Sequence, residues 1–380
     1  LQVSEIAFLV LFGFWSIAVF RGNISIGKPG WIGWAILAYL LSNVLSTLFN
    51  FNSTTFLDLI GRTYLVLVFF VLKSIFEQSQ FSTKGFKILP WILALSVIPA
   101  LFGYTLAHLE GKANFLVWFY PDYPYFGDTF RTKGLMQSPN LLFNLLVCLF
   151  FLSLIYHKSF NKWLKGSAFL TAVFTFAKSW LFFGVSLIWY LSNQTKGWIR
   201  ITFRLFAFLL FLVAAVGTYV LIKNGDQCFL SENIPTHRDS SAFYQQDGFC
   251  FIRTSYAVLH STEIRAGVDY LPLGSGPGNF INQVPELKEK GWYPQHMEPF
   301  EAHSTLFGTF FELGIPGLAS LLLLVYAIGQ QLKLIPREQN LIFTALFLFL
   351  AQEAIFNDIN NFRHIWVILA YFAALDHHKS

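Results

Sequence analysis

Long apolar runs, not alternation, set the pattern of this chain. Eleven stretches are apolar with few breaks: 6–20, 31–49, 55–72, 89–107, 141–156, 163–177, 180–192, 205–222, 315–332, 341–356 and 362–375. A helix of about 20 apolar residues crosses a bilayer core. The runs lack the every-other-residue alternation of a barrel strand, so the expected fold is an all-α polytopic membrane bundle of about eleven visible spans. Residues 1–222 form an N-terminal eight-span bundle, 223–302 a mostly polar loop, and 303–380 three further spans. Inside the loop, "RTSYAVLHSTEIRAGVDY" (253–270) has no proline and one late glycine, which predicts a helix. "LPLGSGPGNF", which follows it, predicts a loop. On such a helix Arg253 and His260 share a face, and Arg265 lies about 120° round from Arg253.

Composition points the same way. Only 12% of residues are charged and 55% are hydrophobic, whereas soluble domains carry about 25% charged residues. The basic residues then give the bundle a direction, because Lys and Arg near spans favour the cytoplasmic side. Alternate connections carry fourteen of them, from Arg21 and Lys28 through Lys158, Lys162 and Lys165 to Lys379. The opposite short connections hold Lys112, Arg131, Lys133 and Lys178. Residues 108–140 and 223–314 are therefore expected outside the cytoplasm. An odd number of spans puts residue 1 outside as well, and a twelfth helix ahead of Leu1 would bring both ends to the cytoplasm. No cleavage-site pattern of a signal peptide follows the first span.

Cys148 falls within a span, where packing is its simplest role, while Cys228 and Cys250 share the polar loop. Outside the cytoplasm these two are candidates for a disulfide that would contribute about 3 kcal/mol.

Cations gather on the outer side, against the topological trend. Lys178 ends the sixth span, Arg131 and Lys133 precede "GLMQSPNLL", and Arg253 and Arg265 precede the glycine loop. Together they would make an electropositive site suited to a phosphate-bearing headgroup; contact with lipid phosphates, or with acids such as Glu263 and Asp269, is the plainer alternative. Gly274 and Gly276 in "GSGPG" could offer backbone N–H groups to an anion, although Pro277 removes one donor. The plainer reading is a tight turn.

His303 in "EAHSTLFGTFFELGIPG" is the sharpest single residue. With Ser304 as an N-cap, Thr305–Leu313 predicts a helix that starts at the outer surface and breaks near "GIPG". The positive helix end disfavours imidazolium and keeps a neutral base; the alternative is a histidine satisfied by a backbone carbonyl. Glu312, nine residues on, faces away from His303 and is placed to serve backbone groups at the interruption. Asp58 and Arg62, four apart, predict an intrahelical ion pair. Glu353 is expected to face the bundle interior. His296, Glu298, Glu301 and His303 are residue types that bind divalent metals, but their spacing around Pro299 is irregular.

In this order, "RTKGLMQSPNLL", a span ending in "AKS", an arginine-led helix, "PLGSGPGNF" and "AHSTLFGTFFELGIPG", the pieces resemble the O-antigen ligase and polymerase superfamily of bacterial membrane glycosyltransferases. The resemblance covers about residues 131–320. It implies about twelve spans in the inner membrane, a large periplasmic loop, and metal-independent transfer of a glycan from a polyprenyl diphosphate carrier, with no cofactor and no nucleic acid. Arg253 matches the loop arginine that meets the diphosphate, and His303 the histidine that acts on the acceptor hydroxyl. Lys178, in Ala177-Lys178-Ser179, stands where the family usually has arginine; lysine keeps the charge without the bidentate fork. Ser304 replaces a common asparagine, and Arg265 begins an R-x10-G spacing to Gly276 similar to that of some polymerases. Lipid A core as acceptor makes a ligase, a second lipid-linked glycan a polymerase. A transporter or flippase for an anionic lipid is the expectation of another class, although transporters usually hold their polar groups at the bilayer midplane.

Overall fold

The structure, a computed structural model, describes residues 3–78, 85–123, 127–156, 161–198, 200–202, 205–206, 208–209, 212, 240–246, 249–295 and 297–375. It is mostly helical. In chain order come α1 Val3–Phe20, α2 Gly30–Phe49, α3 Ser53–Phe76, a 3-10 turn Gly85–Ile88, α4 Leu89–Glu110, the strands β1 Val117–Tyr123 and β2 Gly127–Thr132, α5 Pro139–Ile155, α6 Lys162–Phe174 and α7 Trp180–Gln194. The strands β3 Ser240–Gln246 and β4 Phe249–Thr254 follow, then α8 Ser255–Asp269, α9 Phe280–Glu289, α10 Thr305–Leu334, α11 Arg337–Phe356 and α12 Arg363–Ala374. Five of the described helices, α2, α3, α4, α10 and α11, are long and apolar enough to cross a membrane. Their exposed side chains include Trp34, Leu48, Trp91, Leu95, Phe102 and Leu322, as expected of surfaces that meet hydrocarbon.

The chain divides into two compact units, along lines other than 1–222, 223–302 and 303–380. One unit holds α1–α3, the hairpin β3–β4, α8–α10, the end of α11 and α12. The other holds α4–α7, the hairpin β1–β2 and residues 335–350. The polar loop is thus not separate: α8 and α9 pack with α10 in the first unit. Val258, Leu259, Ala266, Phe280, Val284 and Phe311 form its small core.

Within that first unit, α2 packs against α10. Ser42, Asn43, Ser46 and Thr47 are buried on α2; small polar residues allow close backbone approach while bonding within the helix or across it. Ser42, Asn43 and Thr47 bond carbonyls of their own helix, whereas Ser46 Oγ donates to the Glu312 carbonyl at 2.7 Å.

In the other unit, α5 begins on a Ser138 N-cap that accepts from the Leu141 N–H at 3.2 Å, with Pro139 at the first helical position. Asn161 caps α6 in the same way. That helix stops at Phe174, short of the predicted 177, and Phe176 takes a positive φ of 46°.

The predicted helix over 253–270 begins two residues late. Arg253 lies in β4, which pairs antiparallel with β3 through Phe243 and Ile252, Tyr244 and Phe251. The aromatic and β-branched run Phe249–Ile252 suits a strand, so Arg253 and His260 do not share a helical face. The connection at 108–140 contains a hairpin, with Trp118 opposite Arg131 and Phe119 opposite Phe130. Most of the stretch 205–222, Cys228 and the side chains of Cys250 and Arg253 lie outside the described residues.

Candidate functional site

The site begins where α10 breaks. Gly314 has φ 62° and ψ −146°, and Pro316 carries no N–H for the Glu312 carbonyl to accept from. The Ile315 N–H, which an unbroken helix would give to Phe311, goes instead to the Pro272 carbonyl at 2.9 Å. Two carbonyls are thereby released in an apolar setting, where leaving them bare would be costly. The glycine loop fills this need: Ser275 N–H donates to Phe311 O at 2.9 Å and Gly276 N–H to Glu312 O at 2.9 Å.

This contact explains the glycines and corrects their expected role. A Cβ on Gly274, at φ 77°, would meet the Glu312 carbonyl at 2.3 Å; one on Gly276, at φ 101°, would meet Thr55 Cγ2 at 2.5 Å. The N–H groups of Gly274, Ser275 and Gly276 all go to protein carbonyls, the first to Tyr270 O at 2.8 Å. Gly274 and Gly276 therefore do not form an anion nest.

Beside the break lies a buried charge network. Arg62 Nε pairs with Asp58 at 2.6 Å, as the four-residue spacing predicts. Its Nη2 pairs with Glu312, while Nη1 donates to Asn43 Oδ1 at 2.9 Å and to the Tyr39 hydroxyl at 3.2 Å. The Glu312 carboxylate thus serves Arg62, and it is the Glu312 carbonyl that takes part in the helix break. A cavity of about 420 Å³ opens on this network. Asp58, Arg62 and Glu312 line it together with Thr309, Asp358 and Asn360, and Glu301, Ala302 and Ser304 form another part of its wall. Asp358, in the α11–α12 connection, accepts from Thr305 Oγ1 at 3.2 Å and from Asn361 Nδ2 at 3.2 Å. Burial raises its pKa, with Arg62 pulling the other way.

The start of α10 fixes His303 next to this cavity. Ser304 caps the helix as predicted, accepting from the Phe307 N–H at 3.1 Å, and its hydroxyl donates to Ile355 O at 2.7 Å. His303 N–H donates to Glu263 Oε1 at 2.8 Å. His303 Nδ1 lies 2.9 Å from the Glu301 carbonyl. A carbonyl only accepts, so Nδ1 carries the proton and Nε2 is the basic nitrogen of the neutral ring. The contact is the one expected of a histidine satisfied by a backbone carbonyl. The ring meets Phe300 edge-on with centroids 5.8 Å apart.

Glu263 is the residue that sequence reasoning passed over, noting it only as a nearby acid. It is fully buried on α8, and its Oε2 has no hydrogen-bond partner among the described residues. Burial, reinforced by Glu312 and Asp358, raises its pKa from 4.5 to about 8, against the pull of the His303 and Ser304 amides. His260, one turn earlier, is buried against Phe307 and Phe356. Burial and His303 lower its pKa from 6.5 to about 4.

These two shifts give opposite pH slopes. The folded state holds the Glu263 proton more tightly than the unfolded state, so this contribution is full below about 4.5 and is lost as pH rises through about 8. That of His260 is full above about 6.5 and is lost as pH falls through about 4. Between these, from about pH 6.5 to about 8, only the Glu263 slope remains. Thermal denaturation of the solubilised protein is expected to show stability falling with pH over that interval, and Glu263→Gln is expected to flatten it. An unchanged slope in the variant would remove Glu263 as its source.

The remaining expected residues distribute as follows. Arg265 is exposed on α8. Arg131, in the other unit, donates from Nε to Thr175 O at 2.9 Å and from Nη2 to Asn140 Oδ1 at 3.0 Å. The first bond ties β2 to the turn that carries Lys178, which is exposed, and the second ties β2 to the start of α5. The structure therefore joins Arg131 to the Lys178 segment, and His303 to Glu263 and the cavity wall. Among the described residues no group of three His, Cys, Asp or Glu is placed to hold a metal ion; His296 lies outside them. Glu353 is buried, as expected, and accepts from Asn357 Nδ2 at 3.0 Å. In the comparisons with known proteins, no family model matches the chain, and neither does any curated protein.

Proposed function

We propose that this chain is a membrane glycosyltransferase that moves a glycan from a polyprenyl diphosphate carrier to an acceptor hydroxyl, in the manner of an O-antigen ligase. In this reading about eleven spans cross the bacterial inner membrane, twelve with a helix ahead of Leu1, and the reaction faces the periplasm. The acceptor oxygen attacks the anomeric carbon and its proton passes to His303 Nε2. The bond from that carbon to the carrier oxygen breaks, and the diphosphate departs with the electron pair. Arg253, helped by Arg265, meets the developing charge, because stabilising a leaving diphosphate is the largest electrostatic demand of the step.

One observation carries the reading: a histidine with its proton fixed on Nδ1 by the Glu301 carbonyl and its backbone held by a buried carboxyl, next to residues that line a polar cavity. The transporter reading has an observation of its own, since an interrupted helix beside buried charges is a transport device. Depth does not separate the two readings. Glu312 lies seven residues into the 30-residue α10 and Arg62 nine into the 24-residue α3. At about 1.5 Å per residue these are about 10 and about 14 Å from the helix starts, so Glu312 lies toward one end of its helix and Arg62 close to the middle of its own, and the transfer assay decides.

The test is transfer by the purified protein in lipid vesicles, from a lipid-diphosphate-linked oligosaccharide to a lipid A core acceptor or to a second lipid-linked glycan. His303→Ala is expected to slow transfer by about 10²-fold or more while insertion and folding remain normal. Movement of labelled lipid across the bilayer without cleavage from its diphosphate would overturn the proposal in favour of a flippase. Near-normal transfer by the variant would remove His303 from the chemistry.

A further inference from the structure

We infer that the cavity of about 420 Å³ is a subsite for an uncharged sugar ring of the glycan, and not for the diphosphate. The inference rests on the glycan-transfer reading for the kind of ligand, and on the cavity itself for its charge and hydrogen-bonding character. Its volume falls within the range of about 300–1,000 Å³ typical of small-molecule sites.

Arg62 is the one cation among the described residues that line the cavity. Its Nε, Nη1 and Nη2 are already engaged by Asp58, Asn43, Tyr39 and Glu312. A phosphate would find no donor fork there, and would face the carboxyls of Asp58, Glu301, Glu312 and Asp358. Anions are therefore disfavoured by like charge and by the cost of desolvating them.

What the wall does offer suits hydroxyl groups, which both donate and accept. Carboxylates accept, the amides of Asn360 and Asn361 do both, and Thr54 and Thr309 add hydroxyls. Thr309 supplies an independent sign that a ligand belongs here. It is 2% exposed, it forms part of the cavity wall, and its hydroxyl has no hydrogen-bond partner among the described residues. Buried hydroxyls are rarely left so, because doing so costs free energy that a bound polar group would recover. Two glycines let the wall pack closely: a Cβ on Gly308 would come within 2.9 Å of Ala302 Cβ, and one on Gly278 within 3.0 Å of Asp58.

The experiment uses the full chain in lipid nanodiscs and saturation-transfer NMR. The probes are the methyl glycosides of glucose, galactose, mannose and N-acetylglucosamine, together with methyl glucuronide and inorganic pyrophosphate. At least one neutral glycoside is expected to bind. Thr309→Val is expected to weaken it about tenfold, Thr309→Ser to restore it, and Gly329→Ala, where an added Cβ meets nothing within 4 Å, to leave it unchanged, with thermal denaturation confirming that each variant is folded. Methyl glucuronide and pyrophosphate are expected to show no Thr309-dependent binding.

Absence of binding by every neutral glycoside, equal binding by the valine variant, or Thr309-dependent binding of pyrophosphate would each overturn the subsite. The two readings fail separately. Thr309-dependent sugar binding without transfer from the lipid diphosphate sinks the enzyme and keeps the subsite; transfer that Thr309→Val leaves untouched, in binding and in rate, sinks the subsite alone.

Discussion

Replacing Arg62 with methionine is expected to destabilise the unit that contains it by about 3–5 kcal/mol, the range for leaving a buried charge without its partner. Arg62 is 8% exposed, and its guanidinium is the shared counter-charge for Asp58 and Glu312. Methionine fills much of the volume yet leaves two carboxylates facing each other, with Asn43 and Tyr39 deprived of their donor. Lysine is expected to rescue only part of the loss, because one ammonium cannot reproduce a planar fork that meets four side chains. The decisive comparison is the triple change Arg62→Met, Asp58→Asn and Glu312→Gln. If the cost lies in unpaired charge, the triple variant is expected to be more stable than the single one. Denaturation of the solubilised proteins measures this; a single variant as stable as wild type would mean that the network is hydrated and contributes little.

That network marks how far the sequence could be read. The pair Asp58 and Arg62 was legible because four residues in a helix bring two side chains to one face. Glu312 was not, since it lies 250 residues away from Arg62 and only the tertiary packing that sets α10 against α2 brings the two together. The helix start at Ser304 and the interruption at "GIPG" were legible from capping and proline chemistry, which act locally. Which carbonyls the interruption would release, and what would satisfy them, were tertiary facts. For that reason "GSGPG" could be recognised as a loop and still be assigned the wrong partner: a loop that cradles an anion and one that caps a broken helix need the same glycines. The start of α8 was misplaced because "FCFIRT" and "SYAVLH" run together without a breaker, and only pairing with β3 separates them. Glu263 had no signature at all. An acid on an amphipathic helix is normally solvated, and nothing local says that this one faces the amides of residues 303 and 304.

The second large effect concerns Gly314, and it follows from geometry that no other residue type fits. At φ 62° and ψ −146° the backbone lies close to a region that glycine alone populates, where strain costs about 1–3 kcal/mol. An added Cβ would also sit 2.1 Å from the Pro272 carbonyl oxygen and 2.7 Å from the Gly274 nitrogen. Both neighbours are backbone, so neither can rotate aside, and relieving such overlap costs a further 1–3 kcal/mol or about that. Gly314→Ala is therefore expected to lose about 2–6 kcal/mol, whereas Gly329→Ala, where nothing lies within 4 Å, is expected to be neutral or slightly stabilising. The loss has a functional side. Moving the Pro272 to Gly276 segment off α10 withdraws the N–H groups of Ser275 and Gly276 from the Phe311 and Glu312 carbonyls, and with them the support of Glu312 against Arg62. Sugar binding in the cavity is thus expected to fall in Gly314→Ala even at temperatures where the variant remains folded. Comparing its binding with that of Gly329→Ala, at matched distance below each denaturation midpoint, separates that local effect from a general loss of stability. Equal binding by the two would mean that the break in α10 serves folding alone.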